Sequence, residues 1–275
     1  SCLVGSEMCI RDSASVAGRI VGKKSSSTPG VCALKICPNL ISILAKNVTK
    51  GVIVTCGTNG KTTTNNLLNT ALIKSGYKTV CNNLGANMVG GIATTFAQAC
   101  NIFGNFKADY AVLEVDEASA RRVFKHIKPD YMLITNLFRD QLDRYGELAT
   151  TKRLIQEGIN KKRGLKLLLN ADDPLVASFE GRNKIYYGIE NVYYADESLK
   201  GKSDVEEAFN CPCGKPLEYE KKFFAQQGHY YCSCGFRRPE PKYKADVTIH
   251  REYSVIQIEN ESFTIPVSYT HLRAH

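Results

Sequence analysis

From Gly51 onward, short runs of β-branched and apolar residues alternate with longer stretches whose apolar positions recur at helical spacing. The runs Gly51–Thr55, Lys78–Asn82, Tyr110–Val115, Tyr131–Asn136, Lys166–Asn170 and Lys184–Ile189 predict strands. Between them, Lys61–Ser75 sets Leu67, Leu68, Ala71 and Leu72 on one helical face and stops at Gly76, a residue suited to the position just past a helix end. Met88–Cys100 and Leu148–Asn160 keep the same period. Strands alternating with helices of this length predict right-handed βαβ units: an α/β fold with a mostly parallel sheet, helices on both faces and ligands at the carboxyl edge. The pattern changes near Tyr194. Asp196–Glu207 is polar, Cys211–Arg238 carries cysteines, and Ala245–Ile258 and Ser262–Pro266 read as strands joined by a turn at Glu259–Glu261.

Composition narrows the class without naming a function. Of 275 residues, 43% are hydrophobic and 23% charged, which excludes a disordered, collagen-like or coiled-coil chain. No run approaches the ~18 apolar residues of a membrane-spanning helix. The net charge of +9 favours anionic partners. Eleven cysteines, an odd number with no secretory leader before them, point to a reducing, cytoplasmic compartment. Residues 1–13, with CLVGSEMCIRDS, and 267–275, VSYTHLRAH, read as non-native read-through and are set aside from the fold.

Val52–Thr63 runs strand, glycine-bearing turn, helix start: VIVTCGTNGKTT. Gly57 and Gly60 let the backbone turn tightly, so that N–H groups of Gly57, Thr58, Asn59, Gly60 and Thr63 can converge on phosphate oxygens at a helix N-terminus. Lys61 can reach β- and γ-phosphates, and the Thr62 hydroxyl can ligate Mg²⁺. Thr55 stands where the general phosphate-loop pattern has its first glycine. Glu114 ends a strand beside this loop, where a carboxylate can meet the same Mg²⁺. Asp116 and Glu117 read as acids opening the next helix.

The loop T-x-G-T-N-G-K-T-T resembles that of the Mur ligase superfamily, whose members form amide bonds through an acyl phosphate. Three later motifs in the family's order support it: Leu113–Ala118 (LEVDEA), Thr135–Glu147 (TNLFRDQLDRYGE) and Leu169–Pro174 (LNADDP). With the cysteine segment ending in CGFRRP at Cys234–Pro239, they resemble the synthetase subunits of lipid II isoglutaminyl synthase, over about residues 19–266. The resemblance implies that Lys61 and Glu114 are catalytic, that Glu114 binds magnesium, and that Asn136, Asn170 and Asp172 join the loop in binding ATP. Asn170 is then the base contact, while Asp173 before Pro174 also reads as a helix cap. Asn82, Asn83 and Asn87, at another strand end, are candidates to face the acceptor substrate. Asp140 and Asp143 are three apart, and Gln141 stands where many relatives carry a metal-binding His, which leaves the number of magnesium ions open. Lys152 lies near the position of the family's carbamylated lysine; alone, it reads as a solvated helical Lys.

Cys211-Pro-Cys213-Gly and Cys232-Ser-Cys234-Gly are matching knuckles with 18 residues between them, the pattern of a zinc ribbon. Four thiolates suit structural Zn²⁺ and leave no open coordination position; each knuckle has one intervening residue where two are usual, and disulfides, unligated thiols or an iron–sulfur cluster stay as alternatives. The expected organisation is an N-terminal arm (14–50), an ATP-binding domain (51–195 and 240–266), a Cys₄ zinc-ribbon-like insertion (196–239), and a missing C-terminal ligase domain. By resemblance, the activity is ATP-dependent activation of the D-glutamate α-carboxylate of the lipid II stem peptide, with ammonia from a glutaminase subunit, GatD. A peripheral contact at the inner face of the bacterial membrane is left open. The alternatives are an amino-acid-adding Mur or folylpolyglutamate-type ligase and a zinc-ribbon nucleic-acid-binding ATPase. The last is disfavoured because basic residues do not cluster with aromatics, so no nucleic-acid partner is expected.

Overall fold

The computed structural model describes residues 27–82, 87–101, 105–138, 145–199 and 210–266. Both ends read as non-native lie outside these residues. The chain forms two compact units, Ser1–Leu168 with Glu180–Lys184, and Leu169–Phe179 with Ile185–His275.

In the first unit, β1 (Val48–Cys56), β2 (Thr79–Cys81), β3 (Ala108–Glu114) and β4 (Tyr131–Ile134) lie in the order β4-β1-β3-β2, with every pairing parallel. A parallel strand covered on both faces needs continuous apolar character rather than alternation. That is what β1 and β3 carry: Val52, Val54, Cys56, Ala111, Val112 and Leu113 are all buried. The stretch expected as an arm holds α1 (Thr28–Ile36) and α2 (Leu40–Leu44), which bury Ala33, Leu40, Ile41 and Leu44. The remaining helices are α3 (Lys61–Lys74), α4 (Val89–Ala99), α5 (Ala120–His126) and α6 (Tyr145–Ile159). Among the described residues no single helix is long and apolar enough to cross a membrane.

Helix α3 ends where the sequence predicts. Gly76, at φ +85°, donates its N–H to Ile73 O (2.9 Å), and Tyr77 N–H reaches Leu72 O (3.0 Å), a Schellman closure. Its inward face matches the expected one only in part. Leu68 and Leu72 are partly buried as expected, whereas Leu67 is 56% exposed, Ala71 is exposed as well, and Asn65 is the buried residue. The rotation follows from the helix start: Lys61 must face the loop, and positions 65, 68 and 72 continue that face at helical spacing.

The chain enters the second unit within β5 (Lys166–Asn170). There β6 (Asn183–Tyr194) pairs in parallel with β9 (Tyr243–Ile249), followed antiparallel by β10 (Tyr253–Ile258) and β11 (Glu261–Pro266). The single strand expected over Ala245–Ile258 is two. The polar residues Arg251 and Glu252 turn the chain, closed by a 2.9 Å bond from His250 N–H to Tyr253 O, with the two rings stacked at 4.3 Å. A short helix, α7 (Pro174–Ala177), and a separate antiparallel pair, β7 (Glu218–Lys222) and β8 (Gly228–Tyr231), complete this unit.

Candidate nucleotide and metal sites

The loop between β1 and α3 is shaped by the segment after β4. Gly57 has φ +131°, and a Cβ there would lie 2.3 Å from Thr135 Oγ1 and 2.8 Å from Asn136 O, so only glycine permits the approach. Asn136 clamps the loop three times. Its carbonyl accepts from Thr58 N–H (2.9 Å), its Oδ1 from Asn59 N–H (2.8 Å), and its Nδ2 donates to Asn59 O (3.0 Å). Thr135 Oγ1 adds a bond to Asn59 O at 2.8 Å. The amides of Thr58 and Asn59, expected to face phosphate, are thus held by Asn136.

The helix start presents the remaining donors. Gly60 caps α3 in the left-handed region at φ +79°, and no side chain caps it. The first N–H groups of a helix have no intrahelical partner, and the macrodipole places partial positive charge there. Lys61 Nζ donates to Thr58 O and to Glu117 Oε1, each at 3.1 Å. The Thr62 hydroxyl donates to Glu114 Oε2 at 2.7 Å.

Glu114 is 3% exposed and held from its own strand edge. Asn82 Nδ2 donates to Glu114 O (2.8 Å), and Glu114 N–H returns a bond to Asn82 Oδ1 (2.7 Å), so the Asn82 amide extends the ladder past the end of β2. Asn87 Nδ2 reaches Glu114 Oε1 at 3.4 Å. Two of the three asparagines expected at the acceptor therefore support Glu114; Asn83 lies outside the described residues, as do Asp140, Gln141 and Asp143. A hydroxyl and a carboxylate 2.7 Å apart beside an uncapped helix start form a hard-oxygen donor set that fits Mg²⁺.

Burial raises the pKa of Glu117, opposed by Lys61. Burial also raises the Cys56 thiol, reinforced by Glu117, so this cysteine stays protonated. Lys152 is shifted downward by burial.

Asn170 and Asp172 belong to the second unit, at the end of β5. Asn170 Oδ1 accepts from Asp172 N–H at 3.0 Å. Asp172, 3% exposed at its side chain, receives Arg238 Nε at 2.7 Å and Ile189 N–H at 2.7 Å. Arg238 also meets Glu190 Oε1 (3.1 Å) and Ile189 O (3.0 Å). Burial nonetheless holds the Asp172 pKa above its ordinary value. Asp173 caps α7 through Leu175 and Val176 N–H, and its other oxygen accepts from Gln226 Nε2 at 3.2 Å. The pattern of β-strands and motifs did not single out Glu117, Gln226 or Arg238 as partners of these groups.

Arg238→Ala leaves a buried carboxylate without its cation. It is expected to destabilise the second unit by about 3–5 kcal/mol, with Asp172→Ala in the same chain recovering part of the loss. Denaturant unfolding checks this; a single-variant cost below about 1 kcal/mol would show that the pair is not holding the turn.

The knuckles are built alike. Cys211 N–H donates to Lys215 O and Gly214 N–H to Cys211 O, both at 2.8 Å; Cys232 N–H donates to Phe236 O (2.8 Å) and Gly235 N–H to Cys232 O (2.9 Å). Gly214 and Gly235 take φ +87° and +94°, the left-handed turn by which each one-residue knuckle brings its pair of sulfurs inward. Cys211 and Cys234 Sγ lie 3.5 Å apart, Cys213 and Cys232 Sγ 3.7 Å, and all four are within 4.8 Å of one another. Tetrahedral thiolates at ~2.3 Å from a zinc ion would be about 3.8 Å apart, so the cluster fits one ion. Within this group of interacting sulfurs, the Lys215 amide N–H lowers the Cys213 pKa while burial raises that of Cys211. Tyr230 and Leu217 pack behind Cys211 and Cys232.

Residues 54–227 match the family model of the Mur ligase middle domain. The chain is 37% identical, over 92% of its length, to the subunit MurT of lipid II isoglutaminyl synthase (glutamine-hydrolyzing) from Staphylococcus aureus strain COL, and covers 56% of that protein. It therefore spans about half the length of this relative. Among solved structures, a pseudomurein peptide ligase type C from Methanothermus fervidus superposes with a TM-score of 0.60 and 31% identity, over 82% of this chain and 44% of that one. A MurF ligase from Thermotoga maritima in complex with ADP shares the fold, with a TM-score of 0.54 and 14% identity over 85% of this chain and 44% of that one.

Proposed function

The chain belongs to the Mur ligase family through its middle domain, and from that premise we propose that it is the ATP-binding part of an amide ligase. The observation that carries the reading is the paired engagement of consecutive residues at an uncapped helix start: Lys61 with Glu117, and Thr62 with Glu114. In this reading the N–H groups opening α3 and the Lys61 ammonium receive the β- and γ-phosphates, and Glu114 with Thr62 holds Mg²⁺. The magnesium ion, when bound, neutralises phosphate charge and orients the γ-phosphoryl group. Asn82 and Asn136 position, through Glu114 and the loop respectively. Asn170 and Asp172, candidate nucleotide contacts by the family resemblance, hold the turn after β5 within the second unit.

By its likeness to MurT, the substrate proposed is the D-glutamate α-carboxylate of the lipid II stem peptide. The carboxylate oxygen attacks the γ-phosphorus and ADP leaves, giving an acyl phosphate. Ammonia then attacks the acyl carbon, phosphate departs, and a proton is lost to yield the carboxamide. Such phosphoryl transfer demands positioning and charge neutralisation more than covalent chemistry. The ammonia source proposed is a glutaminase subunit, GatD, since the name of the relative describes a glutamine-hydrolyzing enzyme of which MurT is one subunit. A Zn²⁺ ion is proposed in the four-cysteine cluster, closed to substrate and structural in role. A cytoplasmic location beside the membrane that carries lipid II goes with this substrate.

Glu114→Ala removes the carboxylate from the proposed metal pair. In the full-length protein with its partner, the Mg²⁺ concentration for half-maximal amidation is expected to rise at least tenfold, or turnover to vanish. An unaltered magnesium dependence would take Glu114 out of the site.

A further inference from the structure

The phosphate-binding lysine already holds an anion. Lys61 Nζ and Glu117 Oε1 are 3.1 Å apart, with only 14% and 15% of their side chains exposed. A lysine ammonium has three donors, and Thr58 O and Glu117 take two of them. Glu117 opens the 3₁₀ turn Glu117–Ser119 that follows β3, on a backbone fixed by the 2.9 Å bond from Val115 N–H to Thr55 O and the 3.1 Å bond from Asp116 N–H to Asn87 O. One residue on, Thr62 is taken by Glu114 in the same way. Both side chains proposed to meet the nucleotide are engaged by carboxylates, and among the described residues Glu114, Asp116 and Glu117 outnumber the lysine.

We propose that Glu117 is a resident anion at the Lys61 phosphate position, which nucleotide must displace and which makes binding conditional on magnesium. The inference rests on the phosphate-loop reading above and deepens it. Among the described residues, a triphosphate alone would meet three carboxylates with Lys61 as the side-chain cation to receive it. Like charges a few ångströms apart in a partly desolvated site repel strongly. A divalent cation brought with the triphosphate offsets that repulsion, and the phosphate then replaces Glu117 as the stronger charge-assisted acceptor for Lys61. Burial already raises the Glu117 pKa, consistent with a carboxylate that is not fully compensated by its lysine. Glu117 thus discriminates the magnesium complex of ATP from free nucleotide, a specificity role without contact to the reacting atoms.

The test is calorimetric titration of the intact chain with ATP in Mg²⁺ and with ATP in EDTA. Glu117→Gln keeps the shape and removes the charge; it is expected to tighten binding in EDTA by about tenfold and to shrink the Mg²⁺-to-EDTA affinity ratio by the same factor. Glu117→Asp, one methylene shorter, should shift the ratio in the same direction by less, and serves if the Gln variant fails to fold. Inorganic tripolyphosphate in place of ATP should show the same change, since the effect lies at the phosphates. A ratio unchanged in both variants, or weaker binding in both media, would overturn the proposal and make Glu117 a support for Lys61 or a magnesium ligand. Absence of ATP binding by the unsubstituted chain in either medium would instead overturn the phosphate-loop reading, a distinguishable failure.

Discussion

Lys61→Ala is expected to weaken MgATP binding by roughly 10- to 100-fold and to reduce amidation by the full-length protein to background, with the fold intact. A hydrogen bond to a charged group contributes about 1.5–3 kcal/mol, which sets the range for affinity. The loss in turnover is larger because the lysine also meets the charge that shifts during phosphoryl transfer. Removing Lys61 leaves Glu117 without its cation, but the loop backbone is still held by Asn136 and Thr135, so the fold should stand. Thermal melting should therefore move little while the binding isotherm collapses. Near-normal affinity and turnover in this variant would remove the loop from ATP chemistry.

Cys232→Ser is expected to cost the chain its metal and to unfold the ribbon. Four sulfurs within 4.8 Å of one another leave the tetrahedron closed, so the ion would act on folding and not on substrate. Structural zinc sites carry apparent binding free energies of about 10–16 kcal/mol, and a segment whose buried cluster is little more than Ala177, Cys211, Leu217, Tyr230 and Cys232 has no comparable reserve. The damage should spread within the second unit. Arg238 and Gln226 come from the ribbon and end on Asp172 and Asp173, so those bonds go when it unfolds. Metal content should fall from one ion per chain to a trace, and amide exchange should quicken across 211–238 and around Ala171–Asp173. Phosphate-loop amides should exchange as before. Full metal content in the variant, or zinc below a trace in anaerobically purified unsubstituted chain, would contradict the assignment.

How much of this was legible in the sequence depends on the range of the interaction. The strands were readable because burial on both faces writes itself as an unbroken run, as in Val52–Cys56, and each strand needs only its own residues to show it. The phosphate loop was readable because strand, glycine turn and helix start are contiguous. The knuckles were readable because both pairs repeat one short motif. The inward face of α3 was half legible: Leu68 and Leu72 lie on it as the apolar spacing predicts, but Leu67 and Ala71 face outward, and the direction of Lys61 sends Asn65 inward, its Nδ2 3.3 Å from Cys81 Sγ. Glu117 read as a helix-opening acid because its partner is 56 positions away, and Arg238 read only as the end of the cysteine segment because Asp172 is 66 positions away. Asn82 looked like a substrate contact for the same reason: nothing local shows that its amide would mimic a ladder residue beside Glu114. A polar side chain at a strand end is compatible with ligand binding and with support of a neighbour, and only the pairing of β2 with β3 separates the two.

Whether this Mur ligase family member uses ATP to turn a carboxylate into an amide is read from the mass of the product. The full-length protein should be incubated with a glutaminase partner, lipid II, MgATP and glutamine, and the lipid product analysed by mass spectrometry with ADP counted in parallel. The expected result is conversion of the stem-peptide D-glutamate carboxyl to a carboxamide, one ADP per amide, and no product when ATP is withheld. A product heavier by an amino-acid residue, or ADP released with lipid II unchanged, would contradict it.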